Sequence, residues 1–122
     1  MKELEKKIFD YLKAHEEDII ADIETLAKAE SPTADKAACD ACARVLAGLY
    51  KDRLDVTTEI VPSEKSGDNL VSVYGEGDKT LLIVGHYDTV HPVGSVPLRR
   101  EGNVLYGPGV CDMKGGDVMA IW

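Results

Sequence analysis

The stretch that most constrains the fold covers residues 81–90. Residues 81–84 are all apolar, and this run stops at Gly85. A short continuous apolar run predicts a strand that is buried on both faces of a sheet. His86 and Asp88 follow two residues apart, so in an extended chain both side chains leave the same face. Because ligands of open α/β sheets bind beyond the carboxyl ends of strands, the pair could be a metal-binding imidazole with a supporting acid. The alternative is a histidine that ends a strand and is hydrogen-bonded to an aspartate.

Composition and charge narrow the class of protein. The chain has 122 residues, of which 44% are hydrophobic and 30% charged, and this is typical of one soluble globular domain. A net charge of −8 disfavours nucleic acid as a partner, because a phosphate backbone requires basic contacts. No segment is apolar enough to serve as a signal or a membrane span, so no membrane partner is expected. With three cysteines, an odd number, we expect a cytoplasmic protein.

Helical spacing dominates the first half of the chain. Apolar residues recur at helical intervals over residues 2–29, and the acidic cluster at 16–18 favours the start of a second helix there. The segment Ser31-Pro32-Thr33 ends this pattern, because proline cannot continue a helix. An alanine-rich helix is predicted over residues 35–52, with its small apolar residues buried.

The second half of the chain predicts short strands and one more helix. Val118 to Trp122 are five consecutive apolar residues, so we expect a helix that further sequence covers. The predicted strands are residues 54–61 and 69–74, followed after the 81–84 run by a hairpin of 98–100 with 104–106.

A second motif, Gly107-Pro108-Gly109-Val110-Cys111-Asp112-Met113-Lys114-Gly115-Gly116, centres on an acid. Asp112 lies between a glycine loop and a predicted helix start. A carboxylate has two oxygens and can bridge two metal ions about 3.5–4 Å apart. Asp112 could instead be the N-cap of the helix. The loop could also cradle a phosphate, but an acid replaces the third glycine of that pattern and would repel the phosphate.

Together the two motifs resemble a known family. Gly85-His86-Tyr87-Asp88-Thr89-Val90 and residues 107–116 are similar to the first two metal-site motifs of the zinc metallopeptidases that include glutamate carboxypeptidase, acetylornithine deacetylase, succinyl-diaminopimelate desuccinylase and aminoacylase. The order of the helices and early strands extends the resemblance over nearly the whole chain. It implies that His86 binds one zinc ion, that Asp112 bridges two, and that the catalytic Asp88 orients and polarises His86. It also implies a cis peptide bond between Asp112 and Met113.

The resemblance implies a fold and an activity. The fold would be α/β, with residues 1–122 forming the truncated N-terminal portion of a three-layer helix/mixed-sheet/helix catalytic domain. The complete enzyme would use two zinc ions to hydrolyse an amide bond in a small peptide or N-acyl amino acid, and the glutamate carboxypeptidase branch is preferred. A homo-oligomer is expected. The general base and the remaining ligands would lie beyond Asp112, so we expect an incomplete and inactive fragment.

Two alternatives and several weaker signals remain. The chain could be a non-catalytic, self-associating α/β module, or a nucleotide-binding domain if the glycine loop binds phosphate. The other polar and thiol side chains favour ordinary structural roles: Cys39, Cys42 and Cys111 in packing, His91 in a solvated loop, His15 in a helical surface, at least one of Arg99 and Arg100 facing solvent, and Lys114 without a chemical role.

Overall fold

The computed structural model describes residues 2–122. Its helices are α1 (Glu3–Ala14), α2 (Glu16–Lys28), α3 (Lys36–Leu54) and α4 (Gly115–Met119), and its strands are β1 (Glu59–Val61), β2 (Asn69–Val71), β3 (Arg99–Glu101) and β4 (Val104–Tyr106). A kinked turn over Val110–Lys114, called the Asp112 turn below, leads directly into α4. No helix among these residues is both long and apolar enough to cross a membrane.

The predicted break in the first helical region is confirmed. His15 ends α1, where its backbone N–H donates to the carbonyls of Tyr11 and Leu12, and it also stands at the N-cap position of α2. The acidic cluster at 16–18 occupies the first turn of α2, where the positive end of the helix dipole stabilises its negative charges. α1 has no buried residue, so α2 is the helix of this pair that contributes to the core.

Helix α3 provides one wall of the core. Asp35 caps it, with Oδ1 accepting a hydrogen bond from the Ala38 N–H at 3.0 Å. Cys39 and Cys42 lie on its buried face, so the prediction that they serve packing is confirmed. Desolvation raises the pKa of both thiols, which keeps them protonated and unreactive at neutral pH. The main cluster of buried side chains comprises Leu26, Cys42, Leu46, Leu49, Val118 and Ile121.

The strands form two separate antiparallel pairs. β1 pairs with β2, with Ile60 opposite Leu70, and β3 pairs with β4 in the predicted hairpin, with Arg100 opposite Leu105. The strands predicted over 54–61 and 69–74 are shorter than expected, since Leu54 still belongs to α3 and the ladder ends at residue 71. The combination of helices and short sheets agrees with the coarse α/β prediction.

The prediction of a buried strand over residues 81–84 is wrong for this structure. These residues belong to no strand, and their side chains are 62–84% exposed. The reason is that neither strand pair extends to them, so their backbone has no ladder and their apolar faces have no cover within residues 2–122. Four apolar side chains therefore lie in solvent on an irregular segment.

The closing apolar residues are partly buried. Val118 and Ile121 belong to the core, while Met119 is exposed. The Trp122 indole N–H donates to Asp22 Oδ2 at 2.9 Å, and the Arg53 guanidinium lies 4.8 Å from the centre of its ring. α2 and α3 therefore enclose the two core residues, Val118 and Ile121, while Met119 remains exposed. That further sequence covers this segment stays a prediction.

Candidate metal centre

The structure brings the three predicted site residues together. The imidazole Nε2 of His86 lies 3.0 Å from Asp112 Oδ1, although the two residues are 26 positions apart. The other ring nitrogen, Nδ1, lies 3.1 Å from the carbonyl oxygen of Asp88 and 3.2 Å from its carboxylate Oδ1. Asp88 thus holds one ring nitrogen of His86, and the other ring nitrogen points to Asp112.

The Asp112 turn owes its shape to local backbone chemistry. Gly109 has a left-handed backbone (φ 74°), and a Cβ there would lie 2.7 Å from Thr89 Cγ2, so glycine fits best. The Lys114 N–H closes the turn by donating to the Gly109 carbonyl at 2.8 Å. The peptide bond between Asp112 and Met113 is cis, as the resemblance implied.

Asp112 is not a helix cap. α4 begins at Gly115, its N-cap position is Lys114, and no side chain caps it. The backbone of Asp112 is non-helical (φ −124°, ψ 94°), and its carboxylate is 85% exposed. The N-cap alternative is therefore wrong, and the carboxylate, which contacts His86 through Oδ1, is accessible from solvent.

The fully buried Lys114 anchors the turn. Its Nζ donates to the carbonyls of Leu26 at 3.1 Å and Ala29 at 2.7 Å, at the C-terminal end of α2. An ammonium there satisfies carbonyls that the helix leaves unpaired and complements the negative end of its dipole. Burial lowers the pKa of Lys114. The sequence did not predict this role. It shows only a lysine just before an apolar helix, and this pattern does not reveal which carbonyls the lysine contacts.

Asp117 is a second residue that sequence analysis missed. Its carboxylate is almost completely buried, and its Oδ2 has no hydrogen-bond partner among the described residues. A Cβ on Gly85 would lie 2.5 Å from Asp117 Oδ1, so α4 packs directly against the residue that precedes His86. Burial raises the pKa of Asp117 to about 6, although nearby His86 and Lys114 oppose the shift.

The electrostatics of His86 follow from its neighbours. Partial burial disfavours the imidazolium, but hydrogen bonds to the Asp88 carbonyl and the Asp112 carboxylate outweigh burial and raise the pKa of His86. The side chain remains 49% exposed. The imidazole is therefore a basic, half-exposed group, and each of its two nitrogens faces an aspartate.

The remaining candidates lie outside this cluster. Cys111 is exposed, so the prediction that it serves packing is wrong; the turn projects it outwards. His15 stacks against Trp122 with ring centres 5.3 Å apart, in agreement with a structural role. Arg100 forms a bidentate ion pair with Glu17 on the protein surface, with N···O distances of 2.8 and 2.9 Å.

The cluster fits part of a metal site. Zinc binds imidazole nitrogen and carboxylate oxygen, and its histidine ligands donate their second N–H to a carboxylate or carbonyl, as His86 does to Asp88. Within residues 2–122, however, no group of three or more His, Cys, Asp or Glu side chains could hold a metal ion. The fold and the cluster thus define an α/β chain with two metal-ligand candidates, His86 and Asp112.

Comparison with known proteins gives the family. No family model matches the chain. Carboxypeptidase G2 of a Pseudomonas species is 34% identical over 108 residues, which are 84% of this chain and 26% of that protein. Acetylornithine deacetylase of Pasteurella multocida is 40% identical over 70 residues, covering 51% of this chain and 18% of that protein. A protein of Mycobacterium tuberculosis provisionally named succinyl-diaminopimelate desuccinylase is 49% identical over 39 residues, 32% of this chain and 11% of that protein.

The chain belongs to the family that contains these three proteins, as the two motifs indicated. It spans about a quarter or less of the length of each of them.

Proposed function

We propose that this chain supplies the first metal ligands of a metal-dependent hydrolase. The reaction would cleave an amide bond in a small peptide or an N-acyl amino acid, in the manner of a glutamate carboxypeptidase. The observation that carries the proposal is the 3.0 Å approach of His86 Nε2 to Asp112 Oδ1, with the other ring nitrogen held by Asp88. The names of the relatives, a carboxypeptidase and a deacetylase among them, support the type of bond cleaved.

Each residue has a proposed role. His86, through Nε2, and Asp112, through its carboxylate, would hold the zinc. Asp88 would keep the proton on Nδ1 and make the imidazole a better ligand. Bound zinc would lower the pKa of water to about 7 and polarise the carbonyl of the substrate.

The proposal also covers what residues 2–122 do not contain. A zinc site takes three or four protein ligands, and hydrolysis needs a general base, whereas this cluster offers two ligands. We therefore expect the 122-residue chain alone to bind zinc weakly and to lack hydrolytic activity. A three-layer domain with a mixed sheet, a homo-oligomeric enzyme and a cytoplasmic location are parts of the same proposal.

A histidine-selective zinc titration tests the metal site. The chain has three histidines, so the side-chain ¹⁵N signals of His15 and His91 serve as internal references for His86. Zinc should shift the Nε2 signal of His86 first, while His15, held between Tyr11 and Trp122, should respond least. Weak binding is sufficient for this measurement.

Matched variants complete the zinc test. The His86→Ala and Asp112→Asn variants should lose the tightest zinc site, and His91→Ala should keep it. If zinc shifts all three histidines together, or if Asp112→Asn binds zinc as the parent chain does, the two residues do not share a metal ion and the proposal is refuted.

A second candidate function is self-association without catalysis. The observation that favours it is the exposed apolar segment at residues 81–84, whose backbone has no ladder partner within the described chain. Such a segment can pair with a second copy of itself.

A further inference from the structure

The segment Ser31-Pro32-Thr33 does more than end a helix, because it runs beside residues 87–89. The Thr89 N–H donates to the Ser31 carbonyl at 2.8 Å, and the Thr33 N–H donates to the Thr89 carbonyl at 2.9 Å. Pro32 and Thr89 thereby form a parallel bridge. The Ser31 hydroxyl adds a bond to the Tyr87 carbonyl at 2.6 Å. The backbone on both sides of Asp88 is thus held by one loop.

The Thr33 side chain contacts Asp88 itself. Its hydroxyl Oγ1 lies 2.6 Å from Asp88 Oδ2, while the other oxygen, Oδ1, lies 3.2 Å from His86 Nδ1. The hydroxyl has one proton and a second acceptor in reach, the Thr89 carbonyl at 3.1 Å. The shorter distance lies in the range of hydrogen bonds from hydroxyls to carboxylates, about 2.5–2.7 Å, so the proton goes to Asp88.

We propose that Thr33 is a positioning residue, whose hydroxyl fixes the Asp88 carboxylate so that Asp88 in turn fixes the His86 imidazole. This inference rests on the proposed function, in which His86 binds zinc through Nε2. With Oδ2 bonded to Thr33, Oδ1 stays directed at Nδ1. Without metal, Nε2 donates to the Asp112 carboxylate at 3.0 Å. In the neutral ring that would bind zinc, the proton stays on Nδ1 and the Nε2 lone pair is left for the metal.

Geometry separates this role from a purely structural one. The two backbone bonds to Thr89 do not use the Thr33 side chain. Valine has the same shape as threonine without the hydroxyl, so the Thr33→Val variant removes the bond to Asp88 and leaves the loop in place. Thr33→Ser restores a hydroxyl on the same backbone and is the matched control.

The test measures two properties of the parent chain and both variants. The first is the ¹⁵N chemical shifts of His86 without metal, which report the tautomer; Thr33→Val should shift the balance towards the Nε2–H form, and Thr33→Ser should not. The second is zinc affinity from the titration of the His86 signal. Thr33→Val should bind zinc about tenfold more weakly, the low end of the effect of outer-shell partners, and Thr33→Ser within about threefold of the parent chain.

The outcomes distinguish this proposal from the metal site. If Thr33→Val leaves the His86 tautomer and the zinc affinity unchanged, Thr33 does not position Asp88, and the proposed metal site is unaffected. If the parent chain binds no zinc at His86, the proposed function fails. The positioning role of Thr33 is then tested only by whether Thr33→Val changes the tautomer of His86 in the metal-free chain. Should Thr33→Val not fold, as judged by circular dichroism, Thr33→Ala against Thr33→Ser makes the same comparison.

Discussion

Two carboxylates close to His86 have opposite environments. Asp112 is largely exposed and faces the imidazole, whereas Asp117 is 7% exposed and has one oxygen without a partner among the described residues. An exposed acid can bind a cation at little desolvation cost, but a buried acid without full pairing opposes its own ionisation. Environment, not residue type, therefore separates a candidate ligand from a group that costs stability when charged.

The buried Asp117 gives a pH-dependent stability prediction. Its pKa is about 6 in the folded chain, against an ordinary value of 3.8, so the folded state binds the proton more tightly. The stabilising effect of protonation is fully present below about pH 4 and is lost as pH rises through about 6. Asp88 adds to the cause, while His86 and Lys114 oppose it. The charged form costs up to about 3 kcal/mol at neutral pH, at about 1.4 kcal/mol per pKa unit.

Urea unfolding of Asp117→Asn checks this prediction. The variant should exceed the parent chain in free energy of unfolding by about 1–3 kcal/mol at pH 7.5, and the difference should approach zero near pH 4. Asp78→Asn, at an exposed loop position, is the control and should change stability little at either pH. A variant that loses stability at pH 7.5 would show that the Asp117 charge is favourable in the folded chain.

At the scale of single elements, capping residues mark both ends of α3. The Asp35 carboxylate accepts the Ala38 N–H at the start of α3, and the C-cap residue Asp55, which follows Leu54, has a left-handed backbone (φ 53°). α3 carries Cys42, Leu46 and Leu49 into the core, so its register matters to the whole chain.

Removal of the α3 cap should destabilise the chain measurably. We expect Asp35→Ala to lower the free energy of unfolding by about 1 kcal/mol, because the Ala38 N–H at the helix start loses its acceptor. Asp35→Asn keeps a capping oxygen and should lie within a few tenths of a kcal/mol of the parent chain. Thermal or urea unfolding followed by circular dichroism measures both. Equal losses in the two variants would mean that the charge, not the cap, is what matters.

At the scale of the whole molecule, the core and the apolar surface lie in different places. α2, α3 and α4 enclose the core, and Arg53, Asp22 and Trp122 tie these helices together at one end. Residues 81–84, four consecutive aliphatic residues, lie in solvent. This segment is where a second copy or a further part of a longer protein would bury apolar area.

Association of the chain should depend on this segment. We expect concentration-dependent oligomers in sedimentation velocity, and Leu82→Lys should reduce them, because a charge opposes burial of the segment against a second copy. Leu4→Lys is the matched control, since Leu4 is also exposed, on α1, and outside the segment. Oligomers that Leu4→Lys disrupts and Leu82→Lys does not would place the contact on α1 and not on residues 81–84. A chain that stays monomeric at all concentrations would contradict the second candidate function.

Local sequence patterns predicted the elements that depend on local forces. The apolar period predicted α1, α2 and α3, and the hairpin predicted for residues 98–100 with 104–106 is observed as β3 with β4, its first strand one residue further along the chain. Hydrogen bonds within a helix or a hairpin join near neighbours, so they leave a periodic signal in the sequence. The two metal-site motifs were also visible, and the structure places His86 beside Asp112.

The sequence by itself therefore determined the helices, the hairpin and which residues are candidates for metal binding. Only the tertiary structure decided that residues 81–84 are exposed, that Lys114 anchors the Asp112 turn to α2, and that Thr33 reaches Asp88. These features depend on groups 55 or more positions apart, or on whether a neighbouring strand is present at all. An apolar run or a lone lysine has the same local sequence pattern whether it is buried or exposed. Its burial depends on which other parts of the chain pack against it, and the local sequence does not specify them.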